Sequence, residues 1–411
     1  MGGKVPPYRP YVATTALATI KSTYPAASYS GKFSYATDLG IYGGEVYSDG
    51  KNWVPVNSER FAPLPQALTS AASDAPTITD LATSTSSITS AQRITKDDPC
   101  FTYMGNNLGI WASNSNYIIP QNASNTADAS NYMSVTFMTD SPAFELYLNR
   151  FNTRAMVFVD DQPALSTAIA LDTAGSTNLV KVDFSGVRKV RTIRVSGYNM
   201  PFGGLYIGQY DSVFPVLDFR PLVCVMGDSY TQGTGANAQD FTFAGTLCRL
   251  LGVRYWLDGI GGAGYASTGT SQMDTRQQNR INLLCTRRGG NNTTAIPDCV
   301  IWAMGYNDAA GGKSQAQIEA GIDLGYASAT YKPDIFLGSA TPLGGNAAQT
   351  DATTYIAGKA ESYGKRFISL AGIITSVNRN VYTLVDNVHP SQIGHDYLGY
   401  CIARKIRFAE S

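Results

Sequence analysis

Apolar residues follow two different rhythms along this chain. Beyond residue 220, short uninterrupted apolar runs alternate with longer stretches of helical period. Runs at 222–226, 255–257, 299–304, 335–339 and 367–370 predict strands. The first of them, Leu222, Val223, Cys224, Val225 and Met226, has the continuous apolar character of a strand buried on both faces of a parallel sheet. Between the runs, 241–251, 315–324 and 353–363 predict helices. A last helix is expected at 392–408, with Ile393, Tyr397, Leu398, Cys401, Ile402 and Ile406 along one face. Strand and helix in alternation predict a doubly wound parallel sheet with right-handed crossovers.

Upstream the rhythm is shorter. Segments 131–138, 143–148, 154–160 and 191–196 alternate partially at period two and are divided by Pro, Gly, Asn and Asp clusters, which predicts an all-β, jelly-roll-like sandwich over 97–217. Its Asp160, Asp161 and Gln162 in a turn, together with Trp111 and several Tyr, are candidate sugar contacts; ordinary core aromatics are the equal alternative. Residues 66–96 are dominated by Ala, Ser, Thr and Asp and hold no aromatic residue, a linker composition. In 1–65, Phe33, Tyr35 and Val46 keep period two, Ser48, Asp49 and Gly50 form a hairpin turn, and Trp53 and Val56 lie on the return strand. The expected division is therefore 1–65, 66–96, 97–217 and 218–411.

Composition narrows the function classes. At 411 residues, 44% hydrophobic and 15% charged, the chain has material for a real core and a surface that is polar more than charged. Its formal net charge of zero offers no basic footprint for nucleic acid. No apolar run approaches a membrane span, and the N-terminus lacks the apolar core of a signal peptide. The 6 cysteines have no metal-like spacing. Cys224, Cys248 and Cys401 fall in apolar stretches and are expected as buried thiols, while Cys285 and Cys299 flank a Gly/Asn-rich segment and leave a bridge open.

The candidate chemistry starts where the strand 222–226 stops, at Gly227-Asp228-Ser229. Such a serine sits at the carboxyl end of a strand, where α/β sheets place their chemistry. A serine hydroxyl needs a base, and neutral imidazole is suited to that at pH 7. Of only 2 histidines, His389 stands in Asp386-Asn387-Val388-His389, where Asp386 can turn back to Nδ1. His395 lies inside the last helix and is expected to be a surface or packing residue. Acyl transfer also needs donors around the developing oxyanion. The backbone N–H of Ser229, the N–H of Gly262 and the side-chain amide of Asn307 each follow a predicted strand. Gly264, two residues on, is the other candidate for the second donor.

Gly227-Asp228-Ser229-Tyr230, the glycine block at Gly262, Gly305-Tyr306-Asn307-Asp308 and Asp386-Asn387-Val388-His389 resemble the four blocks of the SGNH (GDSL-type) hydrolases. The resemblance covers about the last 190 residues. It implies a flavodoxin-like three-layer α/β/α fold and ester hydrolysis without metal or cofactor. Ser229 would be nucleophile, His389 base and Asp386 its orienter, with Ser229, Gly262 and Asn307 as the oxyanion hole. Tyr230 replaces the usual Leu. A sandwich before such a domain resembles carbohydrate esterases that deacetylate polysaccharides, and Tyr230, Tyr265 and Tyr306 are then candidates to stack on sugar rings. Val46-Tyr47-Ser48-Asp49-Gly50 followed by Asn52-Trp53 resembles small β-modules of bacteriophage tail fibres and tailspikes. These likenesses imply a tail-associated esterase acting on an acetylated capsule or lipopolysaccharide, made in the host cytoplasm and assembled with other virion tail proteins, trimeric by analogy. A lipase or thioesterase of the same fold, and a glycan-gripping adhesin, are the alternatives.

Overall fold

A computed structural model describes residues 75–105, 108–120, 132–150, 153–171, 177–198, 200–267, 297–329, 331–338, 347–375 and 378–408; nearer the N-terminus it describes positions 23 and 28 and four short strands. The chain divides into two units, Met1–Pro63 and Leu64–Ser411. In the first, β1 (Thr14–Thr15), β2 (Phe33–Ala36), β3 (Gly44–Ser48) and β4 (Trp53–Pro55) form one sheet in chain order. β3 and β4 pair antiparallel with Ser48 opposite Trp53, the register of the expected hairpin. Its turn and Val56 lie outside the described residues.

The second unit opens with β5 (Thr77–Asp80), β6 (Gln92–Thr95), β7 (Thr102–Gly105), β8 (Leu108–Ile110), β9 (Ile118–Pro120), β10 (Tyr132–Thr139) and β11 (Ala143–Asn149). It continues with β12 (Thr153–Val159), β13 (Gln162–Pro163), β14 (Ile169–Leu171), β15 (Thr177–Asp183), β16 (Arg191–Tyr198), β17 (Phe202–Ile207) and β18 (Val213–Phe214). One sheet runs β13-β12-β16-β10-β18, with β14 on β12 and β7 on β10; the other runs β5-β15-β11-β17-β9-β8, with β6 on β17. Alternate residues of both, among them Phe137, Phe144, Leu146, Val157, Val180, Phe202 and Leu205, are completely buried in one shared core.

Two expectations change here. Residues 77–80 and 92–95, assigned to a linker by composition, are strands of the sandwich, β5 on β15 and β6 on β17. Each contributes a single apolar residue, Ile78 or Ile94, to the core, so neither shows an apolar pattern. Trp111 is buried against Tyr117, Tyr147, Ile119 and Leu179 and presents no exposed platform for sugar. Asp160 and Asp161, both with positive φ, do form the expected tight turn joining β12 to β13.

The remaining strands are β19 (Leu222–Gly227), β20 (Arg254–Gly259), β21 (Cys299–Ala303), β22 (Ile335–Leu337) and β23 (Arg366–Ile368). They form a parallel sheet in the order β20-β19-β21-β22-β23, the 2-1-3-4-5 arrangement of flavodoxin-like folds. Every residue of β19 is buried, as its unbroken apolar run requires. The helices are α1 (Ser229–Gln232), α2 (Phe243–Leu251), α3 (Tyr306–Ala310), α4 (Gln315–Ser328), α5 (Ala347–Ser362), α6 (Arg379–Tyr382) and α7 (Gln392–Phe408). A short 3-10 turn, Gln239–Phe241, leads into α2. Cys224 and Cys248 are buried free thiols, Cys401 is a half-buried one, and Cys299 is free; Cys285 lies outside the described residues.

The sandwich is joined to the parallel sheet through one buried carboxylate. Asp240 accepts hydrogen bonds from Tyr132 Oη (2.9 Å) on β10, Arg194 Nη1 (2.7 Å) and Ser196 Oγ (2.7 Å) on β16, and Tyr255 Oη (2.8 Å) on β20. Burial opposes its charge, but the Arg194 guanidinium and these donors outweigh it and hold the carboxyl below its ordinary range. Nearby, His395 of α7 is completely buried. Its Nδ1 accepts from the Phe243 N–H (3.1 Å) while Nε2–H donates to Thr234 O (2.9 Å), so the neutral tautomer fits with both nitrogens used. Burial lowers its pKa to about 4.

Two outcomes are expected. Asp240→Ala leaves the half-buried Arg194 without its counter-charge and three buried hydroxyls without their acceptor, and should cost about 3–5 kcal/mol in denaturant unfolding. His395 is neutral in the folded chain but takes a proton near pH 6.5 once unfolded, so its contribution is present above that pH and lost as pH falls toward about 4. The loss over that window, about 2.5 pH units at 1.36 kcal/mol each, is about 3 kcal/mol. Unfolding curves of His395→Gln across pH 4–7 should lack this component.

Candidate active site

β19 ends at Gly227, and the chain turns at once into α1. Asp228 caps that helix, its Oδ1 accepting from the Tyr230 N–H (3.0 Å), and Gly233 closes it in the left-handed conformation. Ser229 therefore stands as the first helical residue at the carboxyl end of the strand beside which the order of the sheet reverses, the place where open α/β sheets bind ligands. It is largely buried, 8% exposed.

The partner histidine comes from the loop between α6 and α7. Ser229 Oγ lies 2.9 Å from His389 Nε2, and His389 Nδ1 lies 2.7 Å from Asp386 Oδ2. Asp386 Oδ1 accepts from the N–H groups of Val388 (2.9 Å) and His389 (3.0 Å), so one carboxylate both folds the loop and orients the imidazole. Burial opposes ionisation of Asp386, yet the bonds from His389 and the two backbone N–H groups hold its carboxyl below the usual range. Tyr230 Oη donates to Val388 O and its ring packs on His389, which fixes the loop from below. The line Ser229–His389–Asp386 can carry a proton from hydroxyl to imidazole while the carboxylate holds the resulting charge.

Three donor groups follow successive strands. Gly262 has φ +77°, a conformation that side chains resist, in the loop after β20. Neither its N–H nor that of Ser229 donates a hydrogen bond within the protein among the described residues. The Gly264 N–H, by contrast, is used by Ser267 O at 3.1 Å. Asn307 on α3 gives one Nδ2 hydrogen to Ala263 O (2.8 Å) and retains a second.

Two clamps hold this loop, and neither stood out in the sequence. Gln232, one turn after Ser229, accepts the Gly261 N–H with Oε1 at 2.8 Å. On the other side the buried Asp308 carboxylate accepts the N–H groups of Tyr265 (2.7 Å), Ala266 (2.8 Å) and Ser267 (2.6 Å). A polar residue three positions after the serine was the sole clue to Gln232. The Asn-Asp pair was the clue to Asp308.

Of the three candidate sugar-stacking tyrosines, two are unavailable. Tyr230 is fully buried beneath the histidine loop, and Tyr265 is 4% exposed and packed on Trp302. Both stand beside residues of the site, but their rings complete the core. Tyr306 is half-buried, 6.2 Å from the Tyr230 ring, and remains placed to meet a ligand. Among the described residues no His, Cys, Asp and Glu cluster could hold a metal, and no helix is long and apolar enough to cross a membrane.

Residues 225–397 match the model of the GDSL-like Lipase/Acylhydrolase family. Among solved structures, the salicylyl-acyltransferase SsfX3 from a tetracycline biosynthetic pathway aligns at 13% identity and TM-score 0.59, covering 78% of this chain and 98% of its own. A family two carbohydrate esterase from Clostridium thermocellum, in complex with cellohexaose, aligns at 12% identity and TM-score 0.56, covering 74% and 98%. The acetyl xylan esterase Est2A from the rumen bacterium Butyrivibrio proteoclasticus aligns at 13% and 0.52, covering 81% and 98%. At such identities the likeness is one of fold. No curated protein sequence matches. The chain thus has a GDSL/SGNH-type esterase fold behind an all-β module. It is a hydrolytic enzyme, a serine ester hydrolase acting on acylated substrates.

Because Gln232 links the helix of Ser229 to the glycine loop, Gln232→Met should release Gly261 and displace the donor beside it. Steady-state hydrolysis of p-nitrophenyl acetate should then show kcat lowered about 10- to 100-fold at unchanged KM.

Proposed function

We propose that this enzyme removes O-acetyl, or other short acyl, groups from a bacterial surface polysaccharide. The observation that carries the reaction is the continuous hydrogen-bonded line from Ser229 Oγ through His389 to Asp386, beside the Ser229 and Gly262 N–H groups, which donate to no protein acceptor among the described residues. Ser229 Oγ attacks the ester carbonyl carbon as His389 Nε2 takes its proton, and Asp386 stabilises the imidazolium. The N–H groups of Ser229 and Gly262 and the free hydrogen of Asn307 Nδ2 receive the oxyanion. Collapse breaks the bond to the sugar oxygen, which leaves with the proton from His389. Water, deprotonated by the same imidazole, then attacks the acyl-enzyme to release acetate and restore Ser229.

The glycan reading is supported by the shared fold of carbohydrate esterases, sandwich included, and by a half-exposed Tyr306 next to the site. The β3–β4 hairpin and its likeness to tail-fibre modules support a place on a bacteriophage tail, as a trimer bound to other tail proteins and facing a capsule or lipopolysaccharide. The chain would then be made in the host cytoplasm.

Acetate release from purified O-acetylated surface polysaccharides tests the proposal. The intact protein should release acetate, Ser229→Ala should not, and Asn307→Ala should lower kcat about 10²- to 10³-fold. Turnover of long-chain acyl esters without acetate release would make it a lipase. Polysaccharide binding without any hydrolysis would make it an adhesin.

A further inference from the structure

Away from Ser229, a cleft of about 100 Å³ lies between the outer face of the β7–β10–β16 strands and the edge strand β20. It has room for several water molecules. Thr102, Ser134, Thr136 and Thr192 place their hydroxyls along it, and period-two alternation puts them on one face of three neighbouring strands. None of these hydroxyls makes a hydrogen bond among the described residues, although Ser134 is only 3% exposed. The rest of its wall is built from Asp161, Arg194, Asp218, Arg220, Arg254 and Tyr255.

That wall is already ordered. Arg220 holds both carboxylates, donating to Asp161 Oδ2 (2.8 Å) and to Asp218 Oδ2 (2.6 Å). Arg254 is anchored by its Nε on Arg220 O (2.7 Å), while its two Nη groups have no protein acceptor among the described residues. The charges balance: Arg194, Arg220 and Arg254 stand against Asp161, Asp218 and Asp240, so an ion entering the cleft would find no net opposite charge. What its hydroxyls and the Arg254 Nη groups call for is a partner whose own groups both donate and accept hydrogen bonds. Met104, Val216 and Val253 add a small apolar lining.

We infer that this cleft binds one neutral pyranose unit, its hydroxyls bridging the Thr/Ser row and the Arg254 Nη groups, its C–H face against the apolar lining. The site is separate from the ester-hydrolysing centre: neither Ser229, His389 nor Asp386 lines it. It stands on the cleft alone and does not need the polysaccharide deacetylase reading.

The test uses the full chain carrying Ser229→Ala, so that nothing is turned over. Saturation-transfer NMR is run with glucose, galactose and N-acetylglucosamine, and separately with de-O-acetylated surface polysaccharide. Millimolar binding of at least one sugar or polymer is expected, weakened at least about tenfold by Thr102→Val combined with Thr136→Val, which removes two hydroxyls at constant shape. In the Ser229 background the same pair should leave p-nitrophenyl acetate hydrolysis and the thermal midpoint unchanged, and Thr192→Val serves should the pair fail to fold. Loss of polymer binding identifies a glycan subsite and loss of free-sugar binding alone a small-molecule site; both carry the inference. Binding indifferent to these substitutions, or none with any probe, overturns it, and acetate release by the intact enzyme is unaffected by either result.

Discussion

The carboxylate of Asp240 sits where three parts of the second unit meet. It draws donors from β10, β16 and β20 onto one fully buried carboxyl group, so each is needed to offset the cost of burying its charge. Its neighbours in sequence continue the connection. Asn237 N–H donates to Gln392 Oε1 (2.7 Å), Gln392 Nε2 donates to Phe241 O (3.0 Å), and Thr234 O accepts from His395. The segment 234–243 is thereby fixed to the sandwich on one side and to the first turn of α7 on the other. Because α7 follows directly on the loop of His389, the interface that joins the two layers also sets where the imidazole stands.

Within the site, position is secured by short-range bonds more than by bulk. The histidine loop is closed by the Leu384 N–H on His389 O (2.8 Å), the Asn387 N–H on Leu384 O (3.0 Å) and a bridge between Thr383 and Pro390. Asn387 takes a positive φ to make that turn. Gly235 lies against it so closely that a Cβ there would be 2.0 Å from Pro390 O. Beyond Ser229, Gln232 and Asp308 hold the glycine loop from opposite sides. Preorganised donors cost no reorientation when charge develops, which is where such sites obtain most of their rate.

The electrostatics follow the same division. Charges that are buried, Asp240 with Arg194 and Asp308 with three backbone N–H groups, are saturated by fixed partners and serve architecture. Asp386 stays partly exposed, its ionised form held by the histidine and two N–H groups, which suits a residue that must face a transient imidazolium. His395 shows the contrast within one residue type: both its nitrogens are used by the backbone, so it is lost to chemistry.

Much of this was local enough to be written in the chain. The strands β19, β21 and β22 are almost wholly buried and leave apolar runs, because a parallel strand covered on both faces leaves little room for polar residues. Gly227-Asp228-Ser229 marks its own turn, and Asp386 and His389 are three residues apart, so their meeting requires only one loop. The β5 and β6 strands were hidden because an edge strand needs one apolar contact, Ile78 or Ile94, and its remaining residues face water. The fates of Tyr230 and Tyr265, and the roles of Gln232, Asp308 and Asp240, were decided only by tertiary structure. Their partners come from elsewhere, 108 residues away for Tyr132 and Asp240 and 43 for Asp308 and Tyr265. Hydrophobic periodicity reports which face of an element is buried, but whether a polar side chain may join it depends on a donor or acceptor that another part of the chain delivers.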